Sequence, residues 1–147
     1  MKKTARKILS LVLSLVLIFS LAAVVFAETW SITEDYDGDR YEVYASLTLN
    51  TLSVNATLSV LDYEADEYIT DDSSQVVLTY KYYPEDGSAL ETVVKYGNCR
   101  YGVNIAGASY TSDQVYRIRS ASATYRATVP ASYEPQTFTA TSRTLEQ

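Results

Sequence analysis

The chain has 147 residues, with twelve basic and eighteen acidic side chains, and it contains no histidine. The acidic balance argues against nucleic acid as a partner, because phosphates require a basic surface. The lack of histidine removes the commonest general base, the usual zinc ligand and every Ser-His-Asp or Cys-His arrangement.

Residues 1–27 are predicted to be a secretory signal peptide. Four basic residues in MKKTARK precede an uncharged apolar run, and Val25-Phe26-Ala27 is a suitable cleavage triplet. The run is also about long enough to span a bilayer, so an uncleaved anchor helix is the alternative. Cleavage predicts a secreted, extracellular product, free or associated with the cell surface, and no membrane insertion afterwards. The leader is of a style typical of Gram-positive bacteria.

Residues 28–147 are predicted to form a single domain that is large enough to bury a core. Without the leader, the chain keeps eight basic and eighteen acidic residues, a formal net charge of −10. Cys99 is the one cysteine, so no internal disulfide can form and packing must stabilise the fold.

The domain begins with a short predicted strand at 28–33, where Trp30 and Ile32 alternate with polar neighbours. An acidic segment follows, in which carboxylates alternate beside a glycine, an arrangement suited to calcium and its six to eight oxygen ligands. The spacing does not match an EF-hand loop, because the glutamate comes too early. A solvated acidic turn is the alternative. Calcium is the one cofactor that the sequence suggests. Its predicted ligands are Asp35, Asp37, Asp39 and Glu42.

Residues 41–60 predict an antiparallel hairpin, because apolar residues alternate on both arms and the phase flips at Asn50-Thr51. Folding the chain at that point sets Leu49 against Leu52 and Leu47 against Val54. Residues 62–74 are acidic, contain few apolar side chains, and are predicted to be a loop.

Residues 75–106 predict a three-stranded meander with strands at 75–83, 89–96 and 99–106. The expected register sets Tyr82 against Leu90, and Gly97-Asn98 forms a tight hairpin turn to the third strand. Tyrosine is abundant, with fourteen in the chain, and the register places several on one apolar face. Such a face could serve as a sugar or peptide platform, or its rings could pack at the rim of the core. The predicted ligand-binding residues are Tyr80, Tyr82, Tyr96 and Tyr101.

Residues 115–129 indicate one long strand with a phase slip near Ser120, as a β-bulge would produce. Residues 137–145 offer a last strand. Together, seven to nine short strands without helical periodicity predict an all-β domain. The expected architecture is an antiparallel β-sandwich, immunoglobulin-like or similar, with a closed barrel as the lesser option.

The function expected from these features is that of a small secreted, non-catalytic binding or interaction module with a tyrosine-rich sheet face. Its partner would be an extracellular protein or glycan, and no catalytic residue is predicted. Two alternatives stay open: a secreted bacteriocin-like effector that acts on other cells, and a hydrolase that uses a pair of carboxylates.

Overall fold

The computed structural model describes residues 27–71 and 73–147. The predicted signal peptide therefore lies, except for Ala27, outside the described residues. Within the described part the chain is all-β, as predicted, and has no helix. It has eleven strands rather than the predicted seven to nine, and three of them are only two or three residues long. The strands form two antiparallel sheets that pack together, an arrangement consistent with a β-sandwich.

The first sheet has the strand order β1-β2-β3-β8-β7, and the short β4 pairs with the far end of β3. Its strands are β1 (Glu28–Tyr36), β2 (Tyr41–Leu49), β3 (Ser53–Asp62), β4 (Glu67–Tyr68), β7 (Asn98–Arg100) and β8 (Val103–Ser109).

The second sheet has the order β10-β9-β5-β6, and β11 pairs with β9 beyond the end of β10. Its strands are β5 (Gln75–Pro84), β6 (Glu91–Tyr96), β9 (Val115–Val129), β10 (Gln136–Thr141) and β11 (Leu145–Glu146). The expected immunoglobulin-like arrangement finds no support in this order. The first three strands are successive neighbours in one sheet here, whereas immunoglobulin domains distribute theirs between the sheets.

The core lies between the sheets and is formed by the alternate residues that point inward. Leu47 and Leu58 from the first sheet, and Leu78, Ile118 and Phe138 from the second, are almost completely buried. The Tyr125 hydroxyl crosses the interface and donates a hydrogen bond to the Ser46 carbonyl oxygen at 2.7 Å. Burial of these aliphatic and aromatic groups is the main favourable contribution to folding.

The hairpin predicted at 41–60 is present as β2 and β3, but its register differs by two residues. Leu49 pairs with Val54 and Leu47 with Ala56, so the inward faces are as predicted and only the partners change. The reason is a longer loop at residues 50–53, where the Asn50 amide hydrogen-bonds to the Ser53 carbonyl oxygen at 2.8 Å.

The predicted register of β5 and β6 is wrong by one residue. Tyr82 pairs with Glu91 rather than Leu90, and Tyr80 pairs with Val93. Because side chains alternate along a strand, this slip exchanges the two faces of β6. Val93 therefore points toward the core, whereas Val94 lies outside and is half exposed.

The predicted turn at Gly97-Asn98 is also wrong, because the chain changes sheets there. β6 ends in the second sheet, and β7 begins in the first, where Cys99 pairs with Asn104 of β8. The crossing is tight, since a Cβ atom on Gly97 would overlap the Asn104 side chain and approach Val76 to 3.0 Å. Glycine is thus the residue that fits between the layers.

The phase slip predicted near Ser120 is confirmed by the irregular pairing of β9 with β5. Arg119 is an extra residue between the pairs Lys81–Ser120 and Tyr82–Ile118. A second extra residue, Tyr116, lies between the partners of Tyr83 and Pro84. Bulges of this kind bend a strand and redirect its side chains, and here they shape the end of the sandwich where β5 finishes.

Candidate functional site

The four tyrosines predicted to share one face are in different places. Tyr80 is buried and Tyr82 half-buried, with ring centroids 6.2 Å apart. Tyr96 lies on the outer face of β6 and is 68% exposed, because of the one-residue register slip. Tyr101 lies in the turn between β7 and β8 of the other sheet and is 93% exposed. The expected common face is therefore wrong, and ligand binding by these residues stays a prediction.

Tyr110, which directly follows β8, completes the tyrosine cluster at the end of β5. Its ring stacks on Tyr82 at 5.5 Å, and its hydroxyl hydrogen-bonds to that of Tyr80 at 2.5 Å. A hydrogen bond to Glu91, together with burial, raises the pKa of Tyr82 to about 12, and burial raises that of Tyr80. Both phenols therefore stay protonated at neutral pH and keep their hydroxyl hydrogens for the hydrogen bonds of the cluster.

A cleft of about 500 Å³ opens beside this cluster, between the β5–β6 turn and the first residues of β9. The turn is closed by a hydrogen bond from the Gly87 amide to the Pro84 carbonyl oxygen at 3.3 Å, and Gly87 has φ +75°. On the opposite wall the bulge at Tyr116 places that ring outward, 65% exposed. The cleft is lined by Tyr83, Pro84, Glu85, Gly87, Ser88, Tyr116 and Arg117.

Arg117 is the one basic side chain that lines the cleft. Its guanidinium carbon lies 5.6 Å from the centroid of the Tyr83 ring and 5.8 Å from that of Tyr116. Such cation–π contacts fix the orientation of the group without neutralising its charge. Within the described residues no carboxylate lies within ion-pairing distance of Arg117, whereas Arg40 has two such partners and Arg119 and Arg143 have one each.

The buried Nε of Arg117 also lacks a hydrogen-bond partner in the part of the chain that the structure describes. A buried donor left without a partner carries a free-energy cost of about 1–3 kcal/mol and calls for a specific explanation. A half-buried, oriented and unpaired guanidinium in a cleft is the arrangement expected of a group that binds an anion.

The predicted calcium ligands lie at the opposite end of the sandwich. Asp35 is at the end of β1, Asp37 and Asp39 are in the β1–β2 turn with positive φ, and Glu42 is in β2. Ser132 donates to Asp37 and Tyr63 donates to Glu42. No group of three metal-ligating side chains occurs among residues 27–71 and 73–147. Calcium binding there stays a prediction.

Asp62 lies at the same acidic end and is held by several donors. Arg40 donates to its carboxylate at 3.2 Å, as do the backbone amides of Glu64 and Ala65. The hydrogen bond from Arg40, with these amides, lowers the pKa of Asp62 below its usual value. The ionised form therefore stabilises the fold above the ordinary pKa, and this contribution is lost as the pH falls through the lowered pKa.

Asp62→Asn is expected to reduce the dependence of the unfolding free energy on pH at acid pH. The unfolding free energy of the variant should fall less steeply than that of the parent between about pH 4 and pH 2. Urea unfolding at a series of pH values measures the slopes, and Glu134→Gln at an exposed site controls for the removal of one charge. Parallel slopes for parent and Asp62→Asn would show that Asp62 titrates normally in the folded chain.

The alternative of a carboxylate-pair hydrolase requires one carboxyl with a raised pKa to act as the acid. The carboxyls whose pKa departs clearly from the ordinary value shift in the other direction, and in each case the cause is a hydrogen bond to the ionised form. Hydroxyl or backbone donors of Ser73, Ser88 and Thr111 lower the pKa of Asp71, Asp86 and Asp113. Each of these shifts is opposite in direction to the one that the acid of such a pair requires.

Comparison of the chain with models of protein families, with curated proteins and with solved structures found no match. Within the described residues no helix is long and apolar enough to cross a membrane.

Proposed function

We propose that this protein is a small secreted, non-catalytic binding module, and that the cleft around Arg117 holds a ligand that carries a carboxylate. The observation that carries this proposal is the guanidinium of Arg117, which lies 5.6 and 5.8 Å from the centroids of two tyrosine rings and has no carboxylate partner among the described residues. Arginine binds carboxylates through two parallel hydrogen bonds, a geometry that lysine does not reproduce.

The other groups of the cleft suit a ligand with an apolar body and a few polar substituents. The rings of Tyr83 and Tyr116 offer flat surfaces for a sugar ring or an apolar peptide side chain. Glu85 and Ser88 supply an acceptor and a donor for hydroxyl or amide groups. Because the chain is acidic overall, a ligand with a single carboxylate is favoured over a polyanion.

Calorimetric titration of the purified protein tests this proposal with two pairs of probes. One pair is a disaccharide with a terminal uronic acid and its neutral analogue, and the other is a short peptide with a free terminal carboxylate and its amide. We expect at least one charged probe to bind more tightly than its neutral counterpart, by a factor of about ten or more. The reason is that only the charged probe can form a charge-assisted hydrogen bond with Arg117. Equal binding of charged and neutral probes, or none by any of them, would contradict the proposal.

Arg117→Ala is expected to remove that preference, and Arg117→Lys to retain only part of it, because an ammonium lacks the planar pair of donors. Arg126→Ala is the matched control, since Arg126 is an exposed arginine farther along β9. Thermal melts of the three variants verify that the fold is intact. If Arg117→Ala binds the preferred probe as tightly as the parent, Arg117 does not hold the carboxylate.

A further inference from the structure

The strand β6 forms one edge of the second sheet and has a strand neighbour, β5, on one side only. Edge strands expose unpaired backbone donors and acceptors, and proteins usually protect them with charges, prolines or very short length. β6 has six residues and no proline. The side chains on its outer face, and just before it, include exposed apolar groups: Leu90 at 40%, Val94 at 50% and Tyr96 at 68%.

Of the other three edges, two are protected in the expected ways and the third is polar. β1 carries the acidic side chains Glu28, Glu34 and Asp35, which would repel those of a second β1. β7 has only three residues. β10 presents exposed threonines, Thr137 and Thr139, rather than apolar groups. β6 carries one acidic and one basic side chain, Glu91 and Lys95, so that, unlike the acidic β1, it does not repel a second copy of itself. Together with its exposed apolar groups, this makes β6 the edge that best suits the addition of another strand.

The backbone of β6 shows which residues face the open side. The Gly97 amide donates to the Val76 carbonyl oxygen at 2.8 Å, which continues the pairing register of β5 and β6 by one step. Hydrogen-bonded pairs alternate along an antiparallel ladder, so Glu91, Val93 and Lys95 bond to β5 as Gly97 does. The amide and carbonyl groups of Thr92, Val94 and Tyr96 consequently point away from β5, toward the open edge.

We propose that β6 pairs with β6 of a second copy of this chain, antiparallel and with a two-fold axis through Val93. This register sets Leu90 against Tyr96 and Thr92 against Val94, so the exposed apolar groups meet on the outer face. On the inner face Glu91 of each copy meets Lys95 of the other, which gives two opposite-charge pairs by symmetry. The second sheets of the two copies then join into one continuous sheet.

Neighbouring registers lack this complementarity. An axis through Thr92 sets Glu91 against Val93, and an axis through Val94 sets Lys95 against Val93, so each leaves the charges unpaired. Shifts by a single residue would place outward-pointing backbone groups opposite inward-pointing ones, which breaks the ladder. Charge complementarity therefore selects a second copy and one register. This pairing is independent of the carboxylate-binding cleft.

Analytical ultracentrifugation of the purified protein over a range of concentrations tests the pairing. We expect a reversible equilibrium between monomer and dimer. Val94→Pro removes an amide that points toward the open edge, and the β5–β6 ladder does not use this amide. The substitution should raise the dimer dissociation constant about tenfold or more. A protein that stays monomeric up to about millimolar concentration, or that forms polymers without a dimer, would overturn the proposal.

Charge reversal tests the register itself. Glu91→Lys and Lys95→Glu should each weaken the dimer, because each places like charges opposite one another. The double variant restores opposite signs and should recover most of the dimer affinity. Glu134→Lys, at the far end of the sandwich, is the matched control and should leave the dimer dissociation constant unchanged. Glu91 accepts a hydrogen bond from Tyr82 and Lys95 donates one to Gly107, so each substitution also removes a bond within one copy. The melting temperature of each variant is therefore measured as well. A dimer unaffected by the single reversals, or not recovered by the double variant, would reject this register.

Discussion

Phe138→Ala is expected to cost about 3–5 kcal/mol of unfolding free energy, the usual range for a large aromatic removed from a well-packed core. The ring is 1% exposed and lies in β10, opposite Ala127 of β9, where it faces the first sheet. Its loss leaves a cavity that the small side chain directly opposite, Ala127, cannot fill. A domain of this size has about 5–15 kcal/mol in total, so a large part of its stability would be lost.

Urea unfolding monitored by circular dichroism measures this change. Tyr133→Ala is the matched control, because Tyr133 is also an aromatic residue near the C-terminus but is fully exposed. It should alter the free energy by no more than about 0.5 kcal/mol. Comparable losses for both variants would mean that Phe138 does not lie in the core, and the packing of the two sheets would need revision.

Gly102→Ala is expected to destabilise the protein by at least about 2 kcal/mol, through two separate effects. Gly102 has φ +71°, in the left-handed region that costs alanine energy. An added Cβ would also overlap the Tyr68 carbonyl oxygen and lie 2.7 Å from the carbonyl carbon. Since the obstructing atoms belong to the backbone of β4, a side-chain rotation cannot relieve the contact, and the β7–β8 turn must move.

Gly38→Ala separates the two effects, because Gly38 has a similar φ of +67° but no atom within 4 Å of an added Cβ. It should cost only about 1 kcal/mol, from backbone conformation alone. The difference between the two variants in denaturant unfolding then measures the contact between the β7–β8 turn and β4. If the two variants are equally stable, the close approach of Gly102 to Tyr68 is absent in solution.

The bulge of β9 shows what a break in periodicity can predict. Apolar residues on the two sides of Ser120 follow different phases, and a strand can bury both sets only if it contains an extra residue. Arg119 is that residue. The second bulge, at Tyr116, leaves no comparable break, because too few residues of β9 precede it to establish a phase. The cleft that depends on Tyr116 was therefore not predicted.

The candidate site was missed for a related reason. Tyr83 and Arg117 are far apart in sequence and belong to no motif, and only the pairing of β5 with β9 makes them neighbours. The abundance of tyrosine was the one available signal. It correctly indicated that tyrosines form a cluster, but not which of them do. Of the four predicted tyrosines, Tyr80 and Tyr82 contact Tyr110 at the end of β5, beside the cleft.

The sequence by itself determined the all-β character, the hairpin at 41–60 and the inward faces of β2 and β3, because the alternation of apolar and polar residues shows which side of a strand is apolar. The alternation does not show which strand is the neighbour or which register the two strands adopt. Tertiary contacts determine both. The loop at 50–53 is held by hydrogen bonds from Tyr110 and Ile118 to its carbonyl oxygens. At Gly97, the close approach of Asn104 and Val76 accompanies the change of sheet. The open edge of β6 and the cleft at Arg117 both follow from such contacts between segments that are distant in sequence, which a local pattern does not encode.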